Sequence, residues 1–449
     1  MTDAPPDRPN VLLIVTDQQR WDTVGAHGSP MGLTPNLDRL AATGTRFDQL
    51  VSAQPVCGPG PAVIQTGLYA TETGVWRGSL PLDDDVRTLA HHFGDQGYET
   101  GFVGKWDIAG TFEDPVPPAR RGGYDDFWIA ADVPEFTTQP DGGTLFDGFG
   151  DPVTFEGYRA DAFTDFAVEA IDAMSPPFLL TVGFLEPHHQ NDRGTFVAPE
   201  GYADRYRTNP YVPPDLQNRP GDWFAELPDY YGMVERVDEC VGRLLDELDR
   251  RDIRDETVVA FTSDHGCHFR TRPGEYKRTC HESAVRVPGI VNGPSVEAGR
   301  VVERVVSTVD VAPTLLDAAG LDVPSDLHGR SLLSNDVDSD DPRVGEAFIQ
   351  ISGSEIGRAI RTDRWKLGVA APTTDGWRGG KAEPGTDRYV ERYLYDLARD
   401  PHERVNLAAR PEHRGVFDEL GSRLQAYISD VEGVDADIVA FSDPGYQDY

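Results

Sequence analysis

Lysine is nearly absent from this chain. Four of the 41 basic residues are Lys, at positions 105, 277, 366 and 381, and the rest are Arg. Cysteine is as scarce, with Cys57, Cys240, Cys267 and Cys280 standing in no Cys-x-x-Cys pair, which excludes a zinc ribbon and offers no disulfide framework. Long apolar runs are missing too. The longest near the start covers residues 11–15, far short of the roughly 20 that span a bilayer. Residues 1–9 lack a basic stretch leading into an apolar one, so no secretory signal is read and a cytoplasmic location is expected. Positive charge is short overall. A formal net charge of −35 excludes nucleic acid and anionic membrane as partners. The acidic excess reads as a halophilic surface, whose self-repulsion is screened by high salt.

What is present is a large, ordinary core. At 449 residues and 39% hydrophobic content, the chain has length for two or three domains. Apolar, β-branched runs at 11–16, 100–103, 178–183, 257–262 and 289–291 are expected as buried strands. Amphipathic stretches at 37–43, 88–96, 160–173, 230–250 and 309–319 are expected as helices. The alternation predicts an α/β fold, a mainly parallel sheet sandwiched by helices. Cys240, on the apolar stripe of its helix, is read as core. Segments 107–157 and 191–221, rich in Gly and Pro, read as loops or insertions. An acidic linker at 335–341 separates a first domain, 1–335, from a smaller C-terminal α+β subdomain, 342–449. That second unit holds strand-like pieces at 347–351, 358–362, 365–367 and 393–397 and a helix near 411–431.

Polar clusters directly follow three expected strands: Asp17, His188 with His189, and Asp264 with His265. In a parallel sheet the carboxyl ends of strands share one rim, where ligands bind. Asp17, Asp264 and His265 therefore meet although about 247 positions apart, and two carboxylates with an imidazole suit a divalent metal.

Several ordered motifs carry a family resemblance. Residues 9–18 (Pro-Asn-Val-Leu-Leu-Ile-Val-Thr-Asp-Gln), 34–47, Gly104-Lys-Trp, 184–188, Thr262-Ser-Asp-His-Gly266, Arg286-Val-Pro288 and the tail around Asp400-Pro-x-Glu403 resemble the sulfatases. Cys57-Gly-Pro-Gly-Pro61 followed by Thr66-Gly67-x-Tyr69 resembles their nucleophile segment, and the Thr-Asp-Gln opening is similar to the choline-sulfatase and phosphonate monoester hydrolase branch. The resemblance implies an alkaline-phosphatase-like fold and hydrolysis of a small anionic sulfate ester, with phosphodiester or phosphonate monoester hydrolysis as the alternative. It implies that Cys57 is oxidised to formylglycine. It also implies one divalent metal, Ca²⁺ before Mg²⁺ or Mn²⁺, held by Asp17, Asp264, His265 and residue 57, with Gln18 donating to a ligand. Lys105 and Lys277 would grip sulfate oxygens, and their survival in a chain otherwise converted to Arg fits sites shaped for a point-charge ammonium. His188 would contact sulfate or protonate the leaving alkoxide, with His189 as its structural neighbour. The family pattern Cys-x-Pro-x-Arg ends here in Pro61, and the usual Gly-Lys-Trp-His ends in Asp107, a weak base unless burial raises its pKa. Three outcomes stay open. Cys57 is still converted, with Arg77 compensating; it remains a thiol nucleophile; or the protein binds an anion without turnover. Arg20, Cys267 and His281 are expected to be structural or specificity-setting.

Overall fold

The computed structural model describes residues 8–333, 343–372 and 383–441; the expected linker at 335–341 and Lys381 lie outside them. Twelve strands form the main sheet: β1 (Asn10–Thr16), β2 (Thr45–Val51), β3 (Glu99–Lys105), β4 (Phe127–Ala131), β5 (Thr138–Gln139), β6 (Gly142–Asp147), β7 (Pro152–Glu156), β8 (Phe178–Gly183), β9 (Thr257–Ser263), β10 (Arg286–Val287), β11 (Gly289–Asn292) and β12 (Arg300–Ser307). Its spine runs β10-β2-β11-β9-β1-β8-β3-β4-β6-β5. The central five, β9-β1-β8-β3-β4, are parallel, and β11 joins them antiparallel. Every residue of β1, β8 and β9 is buried, which is why each reads as an unbroken apolar run.

Side-chain alternation divides the core in two. Val11, Leu13 and Val15 point to one face, under α3 (Leu89–Asp95) and α7 (Val311–Ala318). Leu12 and Ile14 point to the other, under α1 (Pro35–Ala42), α4 (Arg159–Ala173) and α5 (Trp223–Arg250). Cys240 is fully buried there, facing the Ala160 carbonyl. The helix α5 begins seven residues before the expected start and runs through Pro228. The proline lacks one N–H, but Leu227, Tyr230 and Tyr231 around it are buried, and such burial is worth about 1.5–3 kcal/mol per large side chain.

The expected loop at 107–157 is a correction. It carries β4 to β7, which extend the sheet through antiparallel pairings. Those strands are short and glycine-bearing, so their period-2 pattern is too brief to register in sequence. By contrast, 191–221 is irregular apart from one turn of 3-10 helix. Strands β2 and β12, a parallel pair with a bulge, were also not foreseen.

A second sheet holds β13 (Glu346–Ile351), β14 (Gly357–Thr362), β15 (Trp365–Ala370) and β16 (Arg388–Asp396), all antiparallel, then β17 (Asp437–Val439) beside β16. It packs on α8 (Arg414–Glu432), and its core is continuous with Val63 and Tyr69 of the main unit. No helix among the described residues is long and apolar enough to cross a membrane.

Candidate active site

Register alone brings the first donors together. In the β1–β9 pair Thr16 lies opposite Ser263, so the next residues, Asp17 and Asp264, leave the sheet side by side. The Gln18 backbone amide donates to Asp264 Oδ1 at 3.1 Å, as does the His265 amide at 2.7 Å. Gln18 thus serves a ligand through its main chain, while its side-chain amide donates to Cys267 Sγ at 3.5 Å. Gln18 is held at φ 71°, a sparsely populated region that a buried turn must stabilise.

Cys57 sits at the head of α2 (Pro59–Thr66). Pro59 and Pro61 occupy the first turn, where backbone N–H groups have no helical partner and proline costs nothing. Both glycines of the segment are required. Gly58 turns the chain at φ 83°, and a Cβ on Gly60 would press against Asp264 Cβ at 3.0 Å. Cys57 Sγ lies 3.2 Å from Asp17 Oδ2 and 3.3 Å from His265 Nε2, with Lys277 Nζ directly against it. Burial, and then the Asp17 charge, push the thiol well above its usual range.

One ligand set, Asp17, Cys57, Asp264 and His265, has donor atoms that all lie within 4.8 Å of one another. His265 Nδ1 faces the Gly266 carbonyl at 2.9 Å, so it carries the proton and leaves the Nε2 lone pair turned into the cluster. Asp264 Oδ2 is buried without a hydrogen-bond partner among the described residues, and burial together with Asp17 drives its pKa well up. A buried carboxylate in that state asks for a cation. The donors fit a divalent metal. A second grouping, Asp17, Glu135 and His188, is different, because the Lys105 ammonium already bridges it at 2.8 Å to both carboxylates.

Lys105, at the end of β3, also lies 3.4 Å from Asp107 Oδ2. Burial alone would raise Asp17, yet Lys105, with His188 and Lys277, holds its carboxyl well below the usual range. Asp107 goes the other way: burial outweighs Lys105, and with Glu135 and Asp132 adding charge its pKa rises to about 7. His188 Nδ1 is 2.6 Å from the His189 carbonyl, and its Nε2 is 2.9 Å from Lys277 Nζ. Nδ1 therefore holds the proton and Nε2 accepts from Lys277. Burial, then the Lys277 charge, keep this imidazole neutral. In this geometry His188 Nε2 accepts from the Lys277 ammonium.

The structure thus brings Asp17, Cys57, Lys105, His188, Asp264, His265 and Lys277 into one cluster, with Asp107 at its edge. It does not bring in Arg77, whose guanidinium stacks on Trp76 at 5.3 Å; the residues lining the cavity over Cys57 include Gly78 and Ser79 but not Arg77. Arg20 pairs with Asp22 and Asp215, and His281 meets Tyr395 at 3.1 Å, both away from the cluster. Pro61 lines a small cavity together with Asp17, Lys105, Trp106, Thr181 and Asp264. Sequence reasoning missed Glu135, which reaches Lys105 from the 3-10 turn Pro134–Phe136 of the insertion; a lone acid in a Gly- and Pro-rich stretch gives no periodic signal.

The sulfatase family model matches residues 9–321, and one described as N-sulphoglucosamine sulphohydrolase, C-terminal, matches residues 274–378. An ulvan-active sulfatase of Formosa agariphila is 29% identical over 452 residues, covering 95% of this chain and 82% of that protein. A choline-sulfatase of Rhizobium meliloti is 27% identical, covering 92% and 84%. The crystal structure of a protein described as a putative sulfatase from Bacteroides fragilis superposes with a TM-score of 0.81 at 24% identity, over 96% of this chain and 98% of that one. With the family model spanning well over half of the chain and the strand-end cluster in place beneath its cysteine, the chain belongs to the sulfatase family, hydrolases of sulfuric esters.

Proposed function

We propose that the cluster hydrolyses a sulfate ester to an alcohol and inorganic sulfate, with Cys57 converted to formylglycine and Asp17, Asp264, His265 and residue 57 holding one divalent cation, Ca²⁺ by preference. The observation that carries this reading is the donor set itself. Three of its members are carboxylate oxygen or imidazole nitrogen donors within reach of one another, and the fourth is a soft, half-buried thiol. Oxidation of Cys57 puts an oxygen there, which a hard cation prefers. The cation would supply Lewis-acid stabilisation of negative charge.

The remaining work falls to named side chains. Lys105 is fixed by Asp17 and Glu135 and presents its charge where sulfate oxygens gather. Lys277, held by His188 Nε2, stands beside residue 57 with a proton for the departing alkoxide. Asp107, raised to about 7, is a competent base near neutrality in place of the family's histidine. The acidic surface is adapted to high salt, so the thermal midpoint is expected to rise between about 0.1 and 2 M KCl as self-repulsion is screened.

Two measurements test the function. Mass spectrometry of the Cys57 peptide, from protein made in its own host, should show the aldehyde, and metal-loaded protein should release sulfate from aryl sulfates faster than phosphate from aryl phosphates. A quantitative thiol with no sulfate release overturns the reading.

A further inference from the structure

Two pairs of sequence neighbours meet on the wall of the cavity above Cys57: His188 with His189, which follow β8, and Tyr276 with Lys277, which lie between β9 and β10. They form a ladder of two rungs. The inner rung is the bond from Lys277 Nζ to His188 Nε2 at 2.9 Å, with the same ammonium against Cys57 Sγ. The outer rung is a ring contact, His189 on Tyr276 at 4.3 Å between centres with a tilt of 37°. The His189 ring also stacks on His188, at 4.3 Å and 24°, so it stands between the two.

The inner rung cannot fix itself. A lysine ammonium is a point charge on a flexible stem, with donors that rotate, and an imidazole on a loop turns freely about its last torsion. Because each inner residue is bonded to an outer one, the distance across the outer rung sets the distance across the inner. The outer rung is itself anchored. Tyr276 Oη donates to Asp222 Oδ2 at 2.6 Å, immediately before α5. The Arg270 guanidinium lies 4.7 Å from the Tyr276 ring centre, and its Nε is 3.2 Å from the same carboxylate. His189 contributes a plane and no acid–base chemistry. Its Nδ1 is buried without a hydrogen-bond partner among the described residues, and burial, then the Lys277 charge, hold its pKa down to about 3.

Resting on the sulfatase reading, we propose that His189, together with Tyr276, is a positioning residue. Its ring sets the direction of His188 Nε2 and, through that acceptor, keeps Lys277 Nζ beside residue 57.

The test separates positioning from general support. In full-length, metal-loaded protein, His189→Ala should lower kcat on an aryl sulfate about 10- to 100-fold, with KM within about threefold. His189→Phe restores the plane and should return kcat to within about threefold of the parent. Tyr276→Leu breaks the outer rung from the other side and should repeat the loss, so the test stands even if His189→Ala folds poorly. In a His188→Ala background, His189→Ala should change kcat by less than about twofold. A loss in His189→Phe equal to that in His189→Ala, or an undiminished loss in the His188→Ala background, overturns the proposal.

A second readout needs no turnover. The His188 Nδ1 proton faces the His189 carbonyl at 2.6 Å. In protein carrying isotope-labelled histidine, magnetic resonance should show it exchanging with solvent about 10-fold faster in His189→Ala and at the parent rate in His189→Phe. Parent-like exchange in both variants overturns the proposal. Failure of either pattern with sulfate release intact removes this inference alone. A parent that releases no sulfate removes the sulfatase reading, and the proton exchange still decides the role of His189.

Discussion

Lys105 and Lys366 are near twins in burial and in partners. Lys105, 5% exposed, bridges Asp17 and Glu135 at 2.8 Å with Asp107 nearby. Lys366, fully buried, bridges Glu282 and Glu403 at 2.7 Å and donates to the Cys280 carbonyl. Both ammonium groups are held above their ordinary pKa by neighbouring carboxylates that outweigh burial. The difference lies in what the carboxylates have left over. Around Lys366, Glu282 also takes Arg361 and Glu403 takes the Glu282 amide, so the network is closed. Around Lys105, Glu135 Oε2 has no hydrogen-bond partner among the described residues, so that network keeps an open acceptor. Perturbed titration marks both places, and open valence separates the site from the brace.

Removing each ammonium in turn is the sharpest way to break this comparison. Lys366→Met should cost about 3–5 kcal/mol in urea unfolding, since it strands two buried carboxylates, while kcat/KM of the folded fraction stays within about twofold. Lys105→Met should lower kcat/KM on the order of 10²- to 10³-fold in sulfate-release assays. Equal losses of activity in both variants would erase the distinction.

Asp107 sharpens the open side through pH. Its pKa of about 7 when folded, against about 4 unfolded, means that the folded state binds the extra proton between those values. Its stabilisation is whole below pH 4 and is lost as pH rises through 7. Asp107→Asn removes that slope, so between pH 5 and 8 the variant should gain roughly 2–3 kcal/mol on the parent in urea titrations. A constant difference across that range would contradict the buried, raised carboxyl. The smallest effect tests the contact of the second sheet with the segment before Cys57. Gln54 Nε2 donates to Ser352 Oγ at 2.8 Å, and Ser352→Ala should cost about 1 kcal/mol in the same unfolding assay.

The division between what sequence reveals and what it hides follows from geometry. Residues placed by strand ends were legible: Asp17, Asp264 and His265 follow uninterrupted apolar runs, and the β1–β9 register does the rest. Strands at 11–16, 178–183 and 257–262 matched the observed elements to within a residue at each end. The helix α5 was under-read because Pro228 looks like a stop, and β4 to β7 because short, glycine-bearing strands mimic loops. Glu135 was invisible, since its position depends on how an insertion folds back over the rim. The proton assignment at His188 was equally out of reach, being set by a carbonyl at 2.6 Å from the next residue. Lys366, counted only as one of four lysines, proved to be a core ion; all three described lysines are buried.

The hold of the second sheet on the segment before Cys57 has a temporal side. Ala53 O accepts from the Gln350 amide at 2.8 Å, and Gln54 is clasped by Ser352, which lies 298 residues further along. On a ribosome making about 5–20 residues per second, that interval lasts roughly 15–60 s. During it the segment around Cys57 lacks the partners that later shut it into the core. Any enzyme that must grasp this segment as an extended peptide works against a clock set by the distance between Gln54 and Ser352. Lengthening or slowing translation between the two would widen the window without altering the folded site.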